Sequence, residues 1–388
     1  MLISKGANAL MKILHMADVH LDSRLTRYLD EKRARERRNE ILLTFKAAIN
    51  LAAENEVDAV IIAGDLFDVR RISATARDAV RDAIQQNPQI TFFYLRGNHD
   101  ADGFVEALVQ KNGVLPENLK MFSDEWTSYE FTSKDGVSVI ITGAEMTAQN
   151  NSRLVSSLTL DHSRFNIVVL HGQEIETAAK KDAEVIPLRE YRNRGIDYMA
   201  LGHIHEPKIE RLDIRGIYSY SGCLEGRGYD ECGPRGFNLL QVTHEADGKP
   251  GMKVKFVPFA RRTIYRIGIN SANDSSSIIR EVKRQAEDLE ITSDDMLRVE
   301  ITGRIRPDAD IDISFIEKAL EEYFFHIKVV DKTRPFIDYD SFMLDMSLRG
   351  EFVRLIDSKQ KQGLLDEESA ALITRTGIEL LAGEEGAL

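Results

Sequence analysis

Apolar residues in the first 258 positions are grouped into short runs, and each run ends on polar or turn-forming residues. Five of these runs predict buried strands that lead directly into a motif with Asp, Asn or His: residues 12–17, 57–63, 90–94, 165–170 and 198–201. Apolar positions at helical spacing predict a helix through Ile41, Phe45 and Ile49, entered by a charged segment at 30–38, and a second helix over 74–84. We interpret the charged segment as a solvated helix face. Runs that are apolar on both faces are typical of parallel strands covered by helices, so this region predicts an α/β fold.

The pattern continues with a hairpin and then changes character. Residues 125–143 predict two strands joined by a turn at Lys134-Asp-Gly136, and two further strands end near Pro258. The following part alternates helix and strand, which predicts a small α/β cap: 275–289, 297–302, 314–323 and 326–330. The predicted organisation is an N-terminal extension at 1–10, a main domain at 11–258, an α/β capping domain at 259–334 and a helical segment at 335–388.

Two amphipathic helices are predicted after Pro335. Their apolar faces are formed by Leu344, Leu348, Phe352 and Leu355 in the first and by Leu372, Ile373, Thr376 and Leu380 in the second. These faces either pack on the capping domain or dock a partner helix, and the sequence leaves both hypotheses open.

Composition limits the class of protein. With 388 residues, 43% of them hydrophobic, the chain is long enough for two domains with full cores. Cys223 and Cys232 are too far apart for a CxxC metal pair and too few for a disulfide framework, which favours a reducing compartment. No apolar stretch follows Met1 as in a signal peptide, and no run approaches the ~20 apolar residues of a membrane span. We therefore expect a cytoplasmic protein without a membrane anchor.

The net charge of −12 argues against a protein that grips nucleic acid through a broad basic face. The acidity is unevenly distributed, however. Residues 1–258 carry 33 Lys and Arg against 37 Asp and Glu, whereas residues 259–388 carry 18 against 26. The balance is therefore −4 in the first part, which two bound divalent cations would cancel, and −8 in the second.

Five predicted strands end on chemically active side chains: Asp18-Val-His20, Gly64-Asp-Leu-Phe-Asp68, Gly97-Asn-His-Asp100, His171 and Gly202-His-Ile-His205. Each motif alone has an ordinary explanation, because Gly-Asn favours a turn and a single His at a strand end is commonly a satisfied side chain. Taken together, five of the nine histidines fall at the carboxyl ends of strands, where open α/β sheets bind their ligands.

The combined motifs predict a metal site. A mixture of imidazoles, carboxylates and one amide suits Mn²⁺, Fe²⁺ or Zn²⁺ better than Mg²⁺ or Ca²⁺, which prefer shells of oxygen atoms only. The side chains are too many for one metal and suit two. A carboxylate shared by both cations would hold them ~3.5–4 Å apart, and Asp65, central in the order of motifs, is the best candidate for that bridge.

The five motifs, in this order, resemble the signature of the calcineurin-like metallophosphoesterase superfamily: DxH, GDxxD, GNHD or GNHE, an isolated His, and GHxH. The resemblance covers residues 12 to about 258. It implies a four-layer α/β/β/α sandwich. It also implies two ligand sets, which are Asp18, His20, Asp65 and His205 for one metal and Asp65, Asn98, His171 and His203 for the other.

Within the superfamily the chain is similar to the SbcD-type DNA-repair nucleases, and especially to the YhaO-like branch. The similarity rests on Ile13–His20, the Gly64–Asp68 motif, Tyr220–Glu225, Asp230–Gly236 and the trailing cap. The chain departs from the SbcD pattern at Val19 and Cys223, and neither departure touches a predicted ligand. The resemblance implies a nuclease that hydrolyses phosphodiester bonds at DNA ends through a dimetal-activated water. It further implies a homodimer and an SMC-like (SbcC-type) ATPase in trans, since the chain has no GxxxxGK[ST] loop.

The resemblance also distributes roles around the metals. His99 is not needed as a ligand and is free to protonate the leaving 3′ oxygen. Asp68 matches the position that hydrogen-bonds this histidine and keeps it charged. Arg96 either contacts phosphate or forms a structural salt bridge.

Two other functions fit the same motifs. One is a small-molecule phosphodiesterase or phosphatase, which residues 259–388 and the missing Arg after Asp68 disfavour, because phosphoprotein phosphatases use that Arg to hold phosphate. The other is a non-catalytic scaffold for the ATPase, which the complete ligand set disfavours.

Overall fold

The computed structural model describes residues 10–68, 72–100, 115–147, 149–176, 184–244, 250–270, 274–305, 309, 311–335 and 339–384. The chain divides into two compact units, Met1–Tyr265 and Arg266–Leu388. Of the predicted extension at 1–10, residues 1–9 lie outside the described residues, and Leu10 begins the first strand. The domain boundaries predicted after residues 258 and 334 stay predictions.

The strands of unit 1 are β1 (Leu10–Met16), β2 (Ala59–Ala63), β3 (Thr91–Leu95), β4 (Leu119–Met121), β5 (Thr127–Thr132), β6 (Ser138–Gly143), β7 (Asn166–His171), β8 (Gln173–Ile175), β9 (Val185–Pro187), β10 (Tyr198–Gly202), β11 (Lys208–Arg211), β12 (Ile217–Tyr220), β13 (Gly236–His244) and β14 (Pro250–Pro258). Its helices are α1 (Glu31–Glu54), α2 (Ala74–Gln85), α3 (Asn151–Ser157) and α4 (Leu188–Tyr191). The five strands predicted to lead into motifs are confirmed, and so is the hairpin, in which Gly136 adopts φ +84° between β5 and β6.

These strands form two six-stranded sheets, ordered β14-β13-β1-β2-β3-β4 and β11-β12-β10-β7-β6-β5. In the first sheet β1 to β4 pair in parallel, and β13 runs antiparallel to β1. In the second sheet β6, β7, β10 and β12 pair in parallel, and β5 and β11 run antiparallel at the edges. Parallel strands end at the same edge of a sheet. The motifs after β1, β2 and β3 are therefore neighbours, as are those after β7 and β10.

Apolar side chains hold the layers together. Between the sheets, Ile13, Ile61 and Phe93 of the first sheet meet Ile141 and Val169 of the second, and all five are at most 1% exposed. The outer face of the first sheet packs against α1 and α2, and that of the second packs against α3 and α4. The predicted α/β/β/α sandwich is therefore confirmed.

Helix α1 begins where predicted but buries part of its charged segment. Asp30 caps the helix by accepting a hydrogen bond from the backbone N of Arg33 at 2.9 Å. The interpretation of residues 30–38 as a solvated face is wrong at Arg37, which is 1% exposed. Its guanidinium donates to Glu40 at 2.7 Å and to Glu225 at 3.0 Å. Two carboxylates thus compensate the buried cation, one from the same helix and one from a residue 188 positions later.

The chain continues with β15 (Ile264–Asn270), β16 (Met296–Thr302), β17 (Arg304–Ile305), β18 (His326–Asp331), β19 (Arg334–Pro335), α5 (Ser275–Asp288), α6 (Ile313–Leu320), α7 (Tyr339–Leu344), α8 (Leu348–Lys361) and α9 (Glu367–Glu384). Among the described helices, none combines the length and the apolar character that a membrane crossing requires. Strands β15, β16 and β18 form one sheet. The predicted alternation of helix and strand is confirmed, while the role of this region as a cap stays a prediction.

The C-terminal helices differ from the prediction in number and in buried face. Three helices replace the predicted two, because Ser347 caps a new helix directly after α7 and interrupts the spacing that joined Leu344 to Leu348. Val353 and Ile378 are buried with Phe342 and Met343 packed against them. Most residues of the predicted apolar faces are instead exposed: Leu344 86%, Leu348 67%, Leu355 53%, Leu372 53%, Ile373 38% and Leu380 68%. The prediction of one helix through Leu344 and Leu348 is therefore wrong. The exposure of the leucines argues against packing on the capping domain, whereas docking of a partner helix stays a prediction.

Candidate dimetal centre

The predicted site residues follow strand ends of both sheets: Asp18 and His20 after β1, Asp65 and Asp68 after β2, Arg96, Asn98 and His99 after β3, His171 at the end of β7, and His203 and His205 after β10. The residues from the first sheet contact those from the second. The backbone N of His203 donates to both carboxylate oxygens of Asp18 at 3.0 Å, and Nδ1 of His171 lies 2.9 Å from the carbonyl oxygen of Ala63. We call the seven predicted ligands, Asp18, His20, Asp65, Asn98, His171, His203 and His205, the strand-end cluster.

Several of these residues have a strained backbone. The φ angle is +50° at Asp18 and His20, +51° at Asp65 and +95° at His203. Such conformations cost non-glycine residues about 1–3 kcal/mol each and persist only where the surroundings impose them. Here the first loop is hydrogen-bonded along the second, from Asp18 N to Gly64 O at 3.1 Å and from His20 N to Asp65 O at 3.0 Å. The fold thus holds polar side chains in conformations that the local sequence does not favour, as is common at functional sites.

Two motif glycines are required by close packing. Gly64 has φ +94°, and a Cβ there would lie 2.1 Å from Nδ1 of His171. A Cβ on Gly97 would lie 2.1 Å from Oδ1 of Asp65. Any side chain at either position would displace a predicted ligand, which explains the Gly in the GDxxD and GNHD motifs.

The first predicted ligand set has facing donor atoms. Nε2 of His20 and Nε2 of His205 lie 3.3 Å apart, and Oδ1 of Asp18 is 4.0 Å from the first and 3.9 Å from the second. Imidazole nitrogens and carboxylate oxygens that converge at these distances are mutual acceptors unless a cation or a proton lies among them. This donor chemistry fits a divalent transition metal.

The second set is arranged around His171. Its Nε2 lies 3.4 Å from Oδ2 of Asp65 and 3.1 Å from Oδ1 of Asn98, and its ring centroid is 5.5 Å from that of His203. A carbonyl oxygen only accepts, so Nδ1 of His171 donates to Ala63 and Nε2 faces the acid and the amide. This set also fits a metal with mixed nitrogen and oxygen ligands.

Asp65 touches both sets. Its Oδ1 accepts a hydrogen bond from the backbone N of His99 at 2.9 Å, which fixes the carboxylate. Its Oδ2 lies 3.7 Å from Nε2 of His20 and 3.4 Å from Nε2 of His171. This placement agrees with the predicted bridging role of Asp65, which stays a prediction.

Protonation of one imidazole offsets part of the negative charge of this cluster. Burial by itself would raise the pKa of Asp65, but His171 and His20 lower it far below its usual range. Burial by itself would lower the pKa of His171, but the hydrogen bond and charge of Asp65 raise it to about 9. Burial lowers the pKa of His20. A proton on His171 therefore occupies the place that a cation would take, and metal binding would release it.

His99 and Asp68 form a pair beside the ligands. His99 has 49% of its side chain exposed, and its Nδ1 lies 3.1 Å from Oδ1 of Asp68. That hydrogen bond raises the pKa of His99. Asp68 also accepts from Ser23 Oγ at 2.6 Å and lies 3.3 Å from Nδ1 of His20, so His20, Asp68 and His99 form a further group within metal-binding distance. Because His99 is the exposed member, the pair is accessible to a substrate.

Arg96 lies at a cleft of about 260 Å³ that is also lined by Asn98, His171, Met146 and Glu184. Its Nε and NH2 donate to the two carboxylate oxygens of Glu145 at 2.8 and 2.7 Å. The structural salt bridge that the sequence allowed is therefore formed, while contact with phosphate stays a prediction.

The sequence assigned no role to three residues near the site, Asp100, Arg227 and Glu231. Asp100 accepts from Phe67 N at 2.8 Å and from Gly97 N at 2.9 Å and so ties the loop after β3 to the loop after β2, and burial raises its pKa to about 6. Glu231 and Arg227 contact His205 from the loop after β12. The GNHD motif contained a signal for Asp100, whereas the contact of Glu231 with His205 depends on chain packing.

The calcineurin-like phosphoesterase family matches residues 11–207, just over half of the chain. The DNA double-strand break repair protein Mre11 of Aeropyrum pernix is 27% identical over 323 residues, which cover 77% of this chain and 74% of the relative. The protein of the same name from Thermoplasma acidophilum is 25% identical and covers 79% of this chain and 81% of its own. The uncharacterized metallophosphoesterase YhaO of Bacillus subtilis is 24% identical over 60% of this chain and 58% of its own.

These matches confirm the resemblance drawn from the five motifs. The family match contains all five of them, and it ends at residue 207, two residues after His205. The chain belongs to the calcineurin-like phosphoesterase family and is a hydrolase that acts on phosphoester bonds.

Proposed function

We propose that the chain is a metal-dependent DNA-repair nuclease that hydrolyses phosphodiester bonds at DNA ends in the cytoplasm. The observation that carries this proposal is the extent of its similarity to proteins named for DNA double-strand break repair. The match to the Aeropyrum pernix protein spans 323 residues, whereas the phosphoesterase family match ends at residue 207. A small-molecule phosphodiesterase that shared only the metal centre would not be expected to match beyond it.

The strand-end cluster is the proposed binding site for two divalent metal ions. Asp18, His20 and His205 would hold one, Asn98, His171 and His203 the other, and Asp65 both. The mixed donor set favours Mn²⁺, with Fe²⁺ and Zn²⁺ as alternatives. When bound, such a pair supplies Lewis acidity that activates water and neutralises charge on phosphate oxygens.

The chain's own groups handle the proton and the substrate. His99, exposed and hydrogen-bonded to Asp68 at 3.1 Å, is placed to donate a proton to the leaving 3′ oxygen. Asp68 keeps His99 charged and oriented. Arg96, held by Glu145, is the proposed phosphate contact in the adjacent cleft.

The proposed partner is an SMC-like ATPase of the SbcC type, bound by a homodimer of this chain. The surface assigned to the ATPase is the set of exposed leucines on α7 to α9, such as Leu348 and Leu355. Replacing both by Glu should prevent co-purification with the ATPase and leave hydrolysis by the chain alone unchanged. Retained co-purification would remove this surface from the proposal.

The nuclease activity is tested with purified protein and Mn²⁺ on three substrates: labelled duplex DNA, cyclic nucleotides and p-nitrophenyl phosphate. Asp65→Asn should abolish hydrolysis. The matched control is Asp58→Asn, because Asp58 precedes β2 as Asp65 follows it and lies at the opposite end of the strand. Its carboxylate accepts from Lys12 N at 2.9 Å, which an amide oxygen can also do, so this variant should keep full activity.

Hydrolysis of the small esters without cleavage of any DNA, even with the ATPase present, would replace the nuclease proposal with a small-molecule phosphodiesterase. Undiminished DNA cleavage by Asp65→Asn would show that the strand-end cluster is not the reaction centre.

A further inference from the structure

The loop after β12, residues 222–235, reaches the strand-end cluster with a buried acid whose role is unexplained by the proposed ligand sets. The loop carries two buried carboxylates, Glu225 at 1% and Glu231 at 7% exposure. They point to different places. Glu225 accepts hydrogen bonds from Arg37 and Thr44 of α1, whereas Glu231 faces His205.

The contact between Glu231 and His205 determines which ring nitrogen of the imidazole carries the hydrogen. Oε1 of Glu231 lies 2.7 Å from Nδ1 of His205. A carboxylate only accepts hydrogen bonds, and this contact is shorter than the 3.2 Å between Nδ1 and NH2 of Arg227, so Nδ1 donates its hydrogen to Glu231 and Nε2 presents its lone pair. That Nε2 atom is the one 3.3 Å from His20 and 3.9 Å from Asp18. Glu231 therefore stands behind His205 on the side away from the proposed metal.

Glu231 is itself held in place by the loop. Its Oε2 accepts from the backbone N of Arg227 at 2.6 Å, and its Oε1 also accepts from NH2 of Arg227 at 3.1 Å. The backbone N of Cys223 donates to the carbonyl oxygen of His205 at 3.1 Å, which ties the start of the loop to the GHxH motif. The acid and the histidine are thus fixed relative to each other by both side chain and backbone.

Arg227 extends the same arrangement toward the proton donor. Its NH1 lies 3.7 Å from Oδ2 of Asp68, the acid that contacts His99, while its NH2 contacts Glu231. The side chain is 17% exposed. The guanidinium of Arg227 therefore lies between two acids. Glu231 contacts the predicted ligand His205, and Asp68 contacts the predicted proton donor His99.

We infer that Glu231 is a positioning residue that holds His205 as a ligand of the first metal, and that Arg227 holds Glu231. The inference rests on the proposed dimetal site. Acids that accept from the second nitrogen of a ligating histidine fix its orientation and raise its basicity, and their loss typically weakens metal binding by about 10–100-fold.

The test measures Mn²⁺ binding by calorimetry, with the electron paramagnetic resonance signal of the bound Mn²⁺ as a second readout. Glu231→Ala should weaken one of the two sites about 10–100-fold and leave the other unchanged. Glu231→Gln should recover part of the loss, because its amide oxygen can still accept from Nδ1 of His205. The spin-coupled signal of a Mn²⁺ pair should disappear at a loading that still gives it in the wild-type chain.

A double-mutant cycle identifies which ligand is affected. Glu231→Ala should weaken binding no further in a His205→Ala background, since the residue it positions is gone. It should have its full effect in a His171→Ala background. Equal losses in both backgrounds, or equal weakening of both metal sites in Glu231→Ala alone, would show that the loop only supports the fold and would overturn the inference.

Two controls come from the same loop. Asp230→Asn changes the exposed acid next to Glu231 and should bind Mn²⁺ as the wild type does. Glu225→Gln should lower the unfolding temperature without changing metal affinity. If the wild-type chain itself binds fewer than two Mn²⁺ ions, the dimetal proposal fails; if it binds two and Glu231→Ala does too with equal affinity, only this inference fails.

Discussion

Unit 1 buries two clusters of charged side chains, and they differ in whether the chain balances its own charges. The first, which we call the α1 cluster, consists of Arg37, Glu40, Glu225 and Arg262, all at most 9% exposed. Two guanidinium groups face two carboxylates in it. The second is the strand-end cluster, where the carboxylates of Asp18 and Asp65 face imidazoles.

The α1 cluster is closed, in the sense that the chain supplies a partner for each of its charges. Arg37 donates to Glu40 at 2.7 Å and to Glu225 at 3.0 Å, and Nε of Arg262 donates to Glu40 at 2.8 Å. The remaining oxygen of Glu225 accepts from Thr44 Oγ1 at 2.6 Å and from the backbone N of Arg261 at 2.7 Å. Each buried charge has partners supplied by the chain, as a structural ion-pair network requires.

The strand-end cluster is open, in the sense that the chain does not supply a partner for each of its charges. Its side-chain atoms approach one another at 3.1 to 4.0 Å, and within the part of the chain that the structure describes the cation that would satisfy the acceptors is not supplied by a Lys or Arg at their centre. Among the described residues, a structural cluster can therefore be separated from a binding site by whether the chain supplies the compensating charge. Both contain buried charged side chains, but only the second needs charge from outside the chain.

The largest expected effect is on the rate of hydrolysis and concerns His99, which lies beside the open cluster. His99→Ala should lower the rate of DNA hydrolysis by about 10²–10⁴-fold, the usual contribution of a positioned proton donor. Mn²⁺ affinity should stay within about twofold, since His99 is not one of the proposed ligands. Rates are measured under saturating Mn²⁺ and affinities by calorimetry. Loss of one bound Mn²⁺ in this variant would instead place His99, with His20 and Asp68, in a metal site.

A substitution in the closed cluster should lower the stability of the fold and leave metal binding unchanged. Glu225→Gln removes one carboxylate charge from beside Arg37 and should destabilise unit 1 by about 3 kcal/mol, near the lower end of the range for breaking a buried pair. Thermal unfolding of the metal-free chain measures this. An equal drop in Mn²⁺ affinity would mean that the two clusters are coupled and that the comparison is wrong.

The third prediction adds the missing cation to the open cluster. Mn²⁺ at about 100 times the dissociation constant should stabilise the folded chain by about 2.7 kcal/mol per site. The unfolding temperature should rise accordingly, and EDTA should reverse the rise. Asp65→Asn should lose most of this shift, whereas Glu225→Gln should keep it although it starts from a lower temperature. A shift of the same size in Asp65→Asn would place the bound Mn²⁺ elsewhere.

The open cluster was predictable from the sequence because its members stand directly after β-strands. A strand is recognised from a few adjacent residues, so Asp18, Asp65 and His171 could be assigned to strand ends without knowledge of the packing. The sheets could then be inferred from the family resemblance. Which loops touch, and at what distance, required the structure.

The closed cluster was not predictable for the opposite reason. Arg37 is part of a charged helix segment, and its partner Glu225 lies 188 residues later in the chain. The same limit applies to Glu231 beside His205 and to α8, which begins at a cap on Ser347 and buries Val353 and Ile356 instead of its leucines. Burial of a charge or of one face of a helix depends on contacts that no local pattern contains.

The smallest expected effect separates two buried histidines. His15, between the sheets, is fully buried, and desolvation lowers its pKa to about 3, whereas Asp65 raises that of the equally enclosed His171 to about 9. The unfolded state binds a proton to His15 near pH 6.5 and the folded state does not. Stability from neutral His15 is therefore complete above pH 6.5 and is lost as the pH falls toward 3, by at most about 1.4 kcal/mol per pH unit.

His15→Asn, which cannot be protonated there, should therefore lose about 1–2 kcal/mol less than the wild type between pH 7 and pH 5. Denaturant unfolding at both pH values measures the difference, so that any constant destabilisation by the smaller side chain cancels. The exposed His162→Asn should retain the acid sensitivity of the wild type. If His15→Asn were as acid-sensitive as the wild type, His15 would be protonated in the folded chain. The hydroxyl of Tyr198, 2.8 Å from its Nδ1, would then be compensating a buried charge. The contrast with His171, whose charge is compensated by the carboxylate of Asp65, would no longer hold.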